Sequence, residues 1–285
     1  MKNIWHLFNI HTSTYFLILS FLFTGYIKNI ILIYVIVFFH ELGHIFIIKL
    51  LGYKIIRVDI YPSGGITRID KKINTKLSHD ILIASFGLVF QILLTFLFTF
   101  FASLSYIRSS TYEMFLTYNT TIFVFNLLPI IPLDGYQLLR CIWEILFPYK
   151  KAFQISFVVS LISVLLFLTY HQIFSLNNYL IVTFLIYKMI TEFKNFKYQN
   201  ERFLLERYLH DFPYHKIKNE KKLDLALLKK DTYHYFKKDH TYVSEKRVLK
   251  NKYRRNDFET IRNIRNNREA FSTLFQDRDE EITRK

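Results

Sequence analysis

The chain has 285 residues, 51% of them hydrophobic, with 30 Phe and 20 Tyr, yet its net charge is +15. That pairing excludes an ordinary soluble domain, and the single cysteine, Cys141, excludes a disulfide framework or a cysteine-based zinc knuckle. The two properties are segregated: apolar runs fill the first two thirds, and more than half of the Lys and Arg follow residue 196.

A helix needs about 20 apolar residues to cross the hydrocarbon core. Six stretches qualify in chain order: 12–26, 29–51, 80–106, 114–129 with an extension towards 139, 153–170 and 176–193. The first follows Lys2 and lacks a small-residue cleavage site, so it reads as a retained helix and not as a removed signal peptide. Lys54, Arg57, Arg68, Lys71, Lys72 and Lys76 lie between the second and third stretches, and Arg140, Lys150 and Lys151 between the fourth and fifth. The other connections are poor in positive charge. With six spans, both basic loops and the basic end fall on one side, which the positive-inside rule makes cytoplasmic, together with both termini. The expected fold is therefore an all-α polytopic membrane protein with six transmembrane helices. A short β-hairpin lies between spans two and three, with strands near 53–60 and 66–69. The domain division is a six-helix membrane domain over 1–196 and a basic cytoplasmic tail over 197–285.

The second stretch contains His40-Glu41-Leu42-Gly43-His44. Residues four apart share a helix face, so both histidines can turn a ring nitrogen towards one ion. Glu41 stands beside them, in place to take a proton from water at that ion, which is the HExxH arrangement of zinc proteases. Ionisable residues cost about 3 kcal/mol or more each at the centre of a membrane helix, so three within five positions demand a function. A polar patch for helix packing would use Ser, Thr or Gly at far lower cost.

A catalytic zinc ion takes three protein ligands and leaves one position open. The third ligand is expected at Asp134, in Asn126-Leu-Leu-Pro129-Ile-Ile-Pro132-Leu-Asp134-Gly135. Two prolines there force the helix to bend or unwind, and irregular backbone at membrane depth is tolerated where it lines a cavity. The bland alternative for Asp134 is a loop residue at the start of the next helix. Spans two and four run the same way through the bilayer, which puts His44 and Asp134 together in its cytoplasmic half.

HELGH followed by NLLPIIPLDG resembles the site-2 protease family of intramembrane metalloproteases. The likeness is to its compact bacterial branch, which includes the sporulation proteases that process a membrane-held sigma factor. The resemblance implies that His40, His44 and Asp134 bind Zn2+ and that Glu41 is catalytic. It also implies that Asn126 hydrogen-bonds the substrate backbone or the oxyanion. Pro62-Ser-Gly64-Gly65 is a further shared feature, at an edge where an unwound substrate could add as a strand. The sequence departs from the family in the third span, where Gly87-Leu88-Val89-Phe90-Gln91 stands in place of a Gly-Pro…Asn pattern.

The expected activity is that of a metalloendopeptidase acting on a single-span protein or a signal-peptide-like helix in a bacterial cell membrane. A regulatory membrane partner is also expected. The basic tail, with its interleaved aromatics, matches no nucleic-acid motif, and no nucleic acid is expected; anionic lipid suits its charge. The eight histidines outside the motif, His79 and His234 among them, read as solvated or interfacial. Two other functions are kept in view. One is a catalytically inactive protein that retains membrane clients. The other is an ion carrier, which would be expected to show internal repeats that are absent here.

Overall fold

The computed structural model describes residues 8–10, 12, 15, 27–61, 64–170, 176–214, 216–239 and 241–254. Of the first expected span, 12–26, only Thr12 and Tyr15 fall among these; the rest lies outside the described residues, as do Pro62 and Ser63.

A short strand β1 (Phe8–Ile10) precedes the helix α1 (Ile27–Leu50). Strands β2 (Lys54–Tyr61) and β3 (Gly64–Asp70) follow, then helix α2 (Leu77–Ser103). The three strands form one sheet in the order β1-β2-β3. β2 and β3 are antiparallel from Lys54 opposite Asp70 to Tyr61 opposite Gly64, with an irregularity between Ile55 and Arg57. β1 adds parallel to β2, Phe8 opposite Val58, and makes the sheet three-stranded where sequence reading expects a hairpin. Three residues are too few to show a period, so nothing in the sequence marks β1.

Helices α3 (Ser109–Leu127), α4 (Asp134–Leu146), α5 (Tyr149–Tyr170) and α6 (Leu176–Leu209) complete the helical part. Among the described residues, three helices are long and apolar enough to cross a membrane: Ile27–Leu50, Leu77–Ser103 and Tyr149–Thr169. Their outward sides carry exposed Ile31, Phe96, Phe100 and Leu166, as lipid-facing helices do. Hydroxyls on these helices bond back to carbonyls four residues earlier, Thr95 to Gln91 and Ser156 to Ala152, which satisfies those donors within the helix. α3 and α6 do not meet the same measure. α3 is rich in Thr, Tyr and Asn, and α6 runs past its apolar part through Lys197 to Leu209.

The expected fourth span is broken where the prolines predict. α3 stops at Leu127, and Leu128, before Pro129, is extended with ψ 138°, because proline disfavours helical backbone in the residue it follows. The same rule ends α4 at Leu146, with Phe147 extended ahead of Pro148. Ile130 and Ile131, in the break, are buried with Tyr136, Val164, Leu185 and Met189, which joins α4 to α5 and α6. A second cluster of Leu32, Ile36, Leu94 and Phe115 joins α1, α2 and α3.

Residues 216–254 form a compact unit. A second sheet, β4 (Lys216–Glu220), β5 (Thr232–Lys238) and β6 (Thr241–Ser244), precedes helix α7 (Glu245–Arg254). β4 pairs parallel with β5, and β5 antiparallel with β6. Leu228, Phe236, Val248, Leu249 and Tyr253 pack on Tyr149 of α5 and on Phe203 and Leu204 of α6. Arg207 of α6 is fully buried in this unit and forks onto Glu245, at 2.7 Å to Oε2 and 2.9 Å to Oε1, while also donating to the Thr232 and Lys229 carbonyls. His234, expected at the surface, is fully buried. Alternating Thr232, His234 and Phe236 all face the unit's core, a strand period that the surrounding charges obscure in the sequence.

Candidate metal centre

α1 turns His40 and His44 onto one face, and the start of α4 brings Asp134 to them. His40 Nε2 and His44 Nε2 lie 3.1 Å apart. Asp134 Oδ2 lies 3.1 Å from the first and 3.3 Å from the second. His40 and Asp134 are buried, and His44 is nearly so.

The outer nitrogens fix what the inner ones can do. His44 Nδ1 is 2.7 Å from the Ile83 carbonyl oxygen, which can only accept, so Nδ1 carries the proton and Nε2 is a bare lone pair. His40 Nδ1 is 3.1 Å from Gln91 Oε1. The Gln91 amide is oriented in turn, since its Nε2 donates to Asn119 Oδ1 at 3.4 Å, and Asn119 donates to Thr95 Oγ1 at 2.7 Å. His40 Nε2 is thus also a lone pair. Asp134 Oδ2 is buried and has no hydrogen-bond partner. Three buried acceptors converge with no donor among them, which is costly unless a cation sits between them. Ligands about 2.0–2.1 Å from one ion in a tetrahedral arrangement are about 3.3 Å apart, and the three observed separations match this. His40, His44 and Asp134 can therefore hold a metal ion.

Close helix approach makes the convergence possible. A Cβ on Gly43 would stand 2.3 Å from the Phe86 carbonyl oxygen, and one on Gly87 would stand 2.4 Å from His44 Nε2. Any side chain at Gly87 would occupy the space of the imidazoles. A Cβ on Gly135 would meet the Leu127 carbonyl oxygen at 2.1 Å, so the first turn of α4 sits tightly on the end of α3. Asn126 lies in the last turn of α3, immediately before Leu127. Glu41, half-buried, follows His40 directly on α1.

Sequence reading thus selects the three converging residues, but it leaves Gln91 without a role and misses Ile83 and Asn119. A glutamine wholly buried in an otherwise apolar helix is the signal for Gln91. A backbone carbonyl leaves none. Cys141 is buried and is not one of the converging residues.

Comparison with known proteins agrees with this architecture. The model of Peptidase family M50 matches residues 28–108 and 103–169, which include the motif, the proline break and Asp134. The chain is 31% identical over 188 residues to stage IV sporulation protein FB of Bacillus subtilis, covering 65% of this chain and 65% of that protein. It is 29% identical over 129 residues to a zinc metalloprotease of Methanocaldococcus jannaschii, covering 44% of this chain and 37% of that one. The chain therefore spans less than two thirds of the length of these relatives. Among solved structures, a site-2 protease from Methanocaldococcus jannaschii superposes with a TM-score of 0.51 at 22% identity, over 65% of this chain and 89% of that one, which shows a common fold. On the family match and the shared fold, this membrane chain belongs to peptidase family M50, the family of the site-2 proteases.

Proposed function

We propose that the protein is an intramembrane zinc metalloprotease that hydrolyses peptide bonds of membrane-embedded substrates in or near the cytoplasmic half of the bilayer. The observation that carries this is the convergence of His40 Nε2, His44 Nε2 and Asp134 Oδ2, with each outer imidazole nitrogen facing an oxygen acceptor and Glu41 next to His40 in the chain. His40, His44 and Asp134 would hold the ion, and zinc bound there would supply Lewis acidity to acidify water and polarise the scissile carbonyl. Glu41 takes a proton from the attacking water and returns it to the leaving amine. Asn126 steadies the substrate backbone or the developing oxyanion with its amide N–H. Ile83 and Gln91 keep the two imidazoles turned so that each presents Nε2. No covalent intermediate is involved, which is consistent with the burial of Cys141.

The substrate class is a single-span protein or a signal-peptide-like helix. A peptide bond is reachable only where its helix unwinds, so helix-weak residues are expected around the cut. The chain is read as a bacterial cell-membrane protein with six spans and both termini cytoplasmic. On this reading the broken stretch of α3 and α4 and the apolar start of α6 are the spans beyond the three helices long and apolar enough to cross a membrane, while the expected first span, 12–26, lies almost wholly outside the described residues. The distribution of Lys and Arg supports that count.

The test is Glu41→Gln against His44→Ala in detergent-purified protein, with zinc per chain measured first. Cleavage of a model single-span substrate in proteoliposomes is then followed. Glu41→Gln is expected to keep zinc and lose turnover, and His44→Ala to lose both. Full turnover by Glu41→Gln would falsify the assignment of the base, and wild type without zinc would remove the metal mechanism altogether.

A further inference from the structure

The segment 228–231, between a short 3-10 turn (Leu225–Leu227) and β5, reaches out of the C-terminal unit into the helical part. Lys230 is almost wholly buried, and its Nζ lies 2.7 Å from Asp80 Oδ2 and 3.1 Å from Glu144 Oε2. Asp80 is in the first turn of α2, and Glu144 is near the end of α4. The neighbours of Lys230 serve the same purpose. Asp231 Oδ2 accepts the Leu77 N–H that opens α2, at 2.9 Å, and the Leu228 carbonyl accepts the Tyr149 N–H that opens α5, at 3.0 Å.

The two helices joined by Lys230 build the metal centre. α2 carries the Ile83 carbonyl that orients His44, Gly87 against both imidazoles, and Gln91 that orients His40. α4 begins at Asp134. Asp80 precedes Ile83 by about one turn, and Glu144 lies about 15 Å along α4 from Asp134. A shift of α4 along or about its axis against α2 would carry Asp134 away from the histidines. Each carboxylate has another cation, Lys71 for Asp80 and Arg140 for Glu144, but neither of these bridges α2 to α4. Burial opposes the Lys230 ammonium, and the attraction of Glu144 and Asp80 outweighs it, holding the pKa above the ordinary lysine value. Lys230 is charged at any physiological pH.

We propose that Lys230 is a positioning residue for the metal centre. The C-terminal unit inserts it as a bridge that sets α4 against α2 and so keeps Asp134 at ligating distance from His40 and His44. The inference rests on the proposed metal site, and it assigns the unit a part in building that site from outside the residues that touch the ion.

The test uses the full-length protein in detergent, comparing wild type, Lys230→Met and the triple variant Lys230→Met/Asp80→Asn/Glu144→Gln. Two quantities are read: backbone hydrogen exchange by mass spectrometry, and zinc affinity by competition with a chromophoric chelator. In Lys230→Met, exchange is expected to rise in α4 and in the first turns of α2, while β5, β6 and α7 keep their protection. Zinc affinity is expected to fall about tenfold or more, as when partners of metal ligands are removed. The triple variant removes the two carboxylates that lose Lys230 without restoring the bridge, so its zinc affinity is expected to stay low. Wild-type affinity in the triple variant would mean that Lys230 only neutralises buried charge, and would overturn the proposal. Unchanged exchange in α4 of Lys230→Met would overturn it as well, and that measurement does not depend on zinc. Wild type that binds no zinc would instead overturn the proposed function, while the exchange data still decide whether the bridge exists.

Discussion

The metal centre and the C-terminal unit both bury charged groups, and they treat them in opposite ways. In the C-terminal unit two deeply buried cations find partners inside the chain: Arg207 forks onto Glu245, and Lys230 sits between Asp80 and Glu144. At the metal centre, His40, His44 and Asp134 aim ligand atoms at one point, and Asp134 Oδ2 is buried there without a hydrogen-bond partner. A folded protein seldom leaves buried polar atoms unmatched. Matched charge therefore reads as architecture, and convergent unmatched charge reads as a place kept for a ligand.

The sharpest way to break this comparison is to delete an acceptor. Asp134→Ala removes the only charged ligand, and bound zinc is expected to drop from about one per chain to near zero, measured by atomic absorption on purified protein. The melting temperature of zinc-free protein should change little or rise, since the variant relieves an unmatched carboxylate. Loss of the fold in Asp134→Ala would show that the aspartate is architectural after all.

Deleting a matched charge should do the reverse. Glu245→Gln leaves Arg207 buried without its counter-ion, and breaking such a pair costs about 3–5 kcal/mol. Thermal or denaturant unfolding followed through protection of residues 216–254 should show the loss. An apolar pair at both positions should recover most of it. If Glu245→Gln unfolds the unit, zinc affinity should fall with it, because the Lys230 bridge goes too. Wild-type stability in Glu245→Gln would leave the matched-charge reading without support.

Gln91 lies on the boundary between the two regimes, a neutral group that is fully buried and matched to a ligand. Gln91→Leu should leave the helices intact and weaken zinc binding about 10–100-fold, because His40 loses the acceptor that fixes its tautomer. Chelator competition measures this, and Gln91→Glu, which keeps an acceptor, should retain more affinity than Gln91→Leu.

The same contrast explains what the sequence revealed. His40, Glu41 and His44 stand out because each is expensive in an apolar helix, and Asp134 because prolines surround it; such anomalies are local and legible. The break between α3 and α4 is legible for the same reason, since Pro129 and Pro132 act on their immediate neighbours. The C-terminal unit shows no such anomaly. Its charges look solvated until the fold brings Arg207 to Glu245, 38 positions away, and Lys230 to Asp80, 150 positions away. β4 and β6 are short, exposed strands whose period is masked by Lys and Thr. Partners of that sequence separation leave no pattern in a single chain.

The smallest expected effect concerns His234, where the matching is by neutrality. Its Nε2 accepts the Lys229 N–H at 3.1 Å, its Nδ1 faces Glu220, and its backbone N–H donates to Glu245. Burial, then the nearby positive Arg207, and more weakly Lys218, push its pKa down to about 4, against the pull of Glu220. Between about 4 and the ordinary histidine value near 6.5 the unfolded chain binds the proton more readily than the folded one. Stability of the unit should thus be level above that window and decline as pH falls through it, because there the unfolded state gains protons. Proteolytic clipping of residues 216–254 across pH 4–7 should follow this slope. His234→Gln, which does not titrate in the window, should flatten the slope on this account. An equal slope in that variant would assign it to the carboxylates around Arg207 and Lys230, where the matching is ionic.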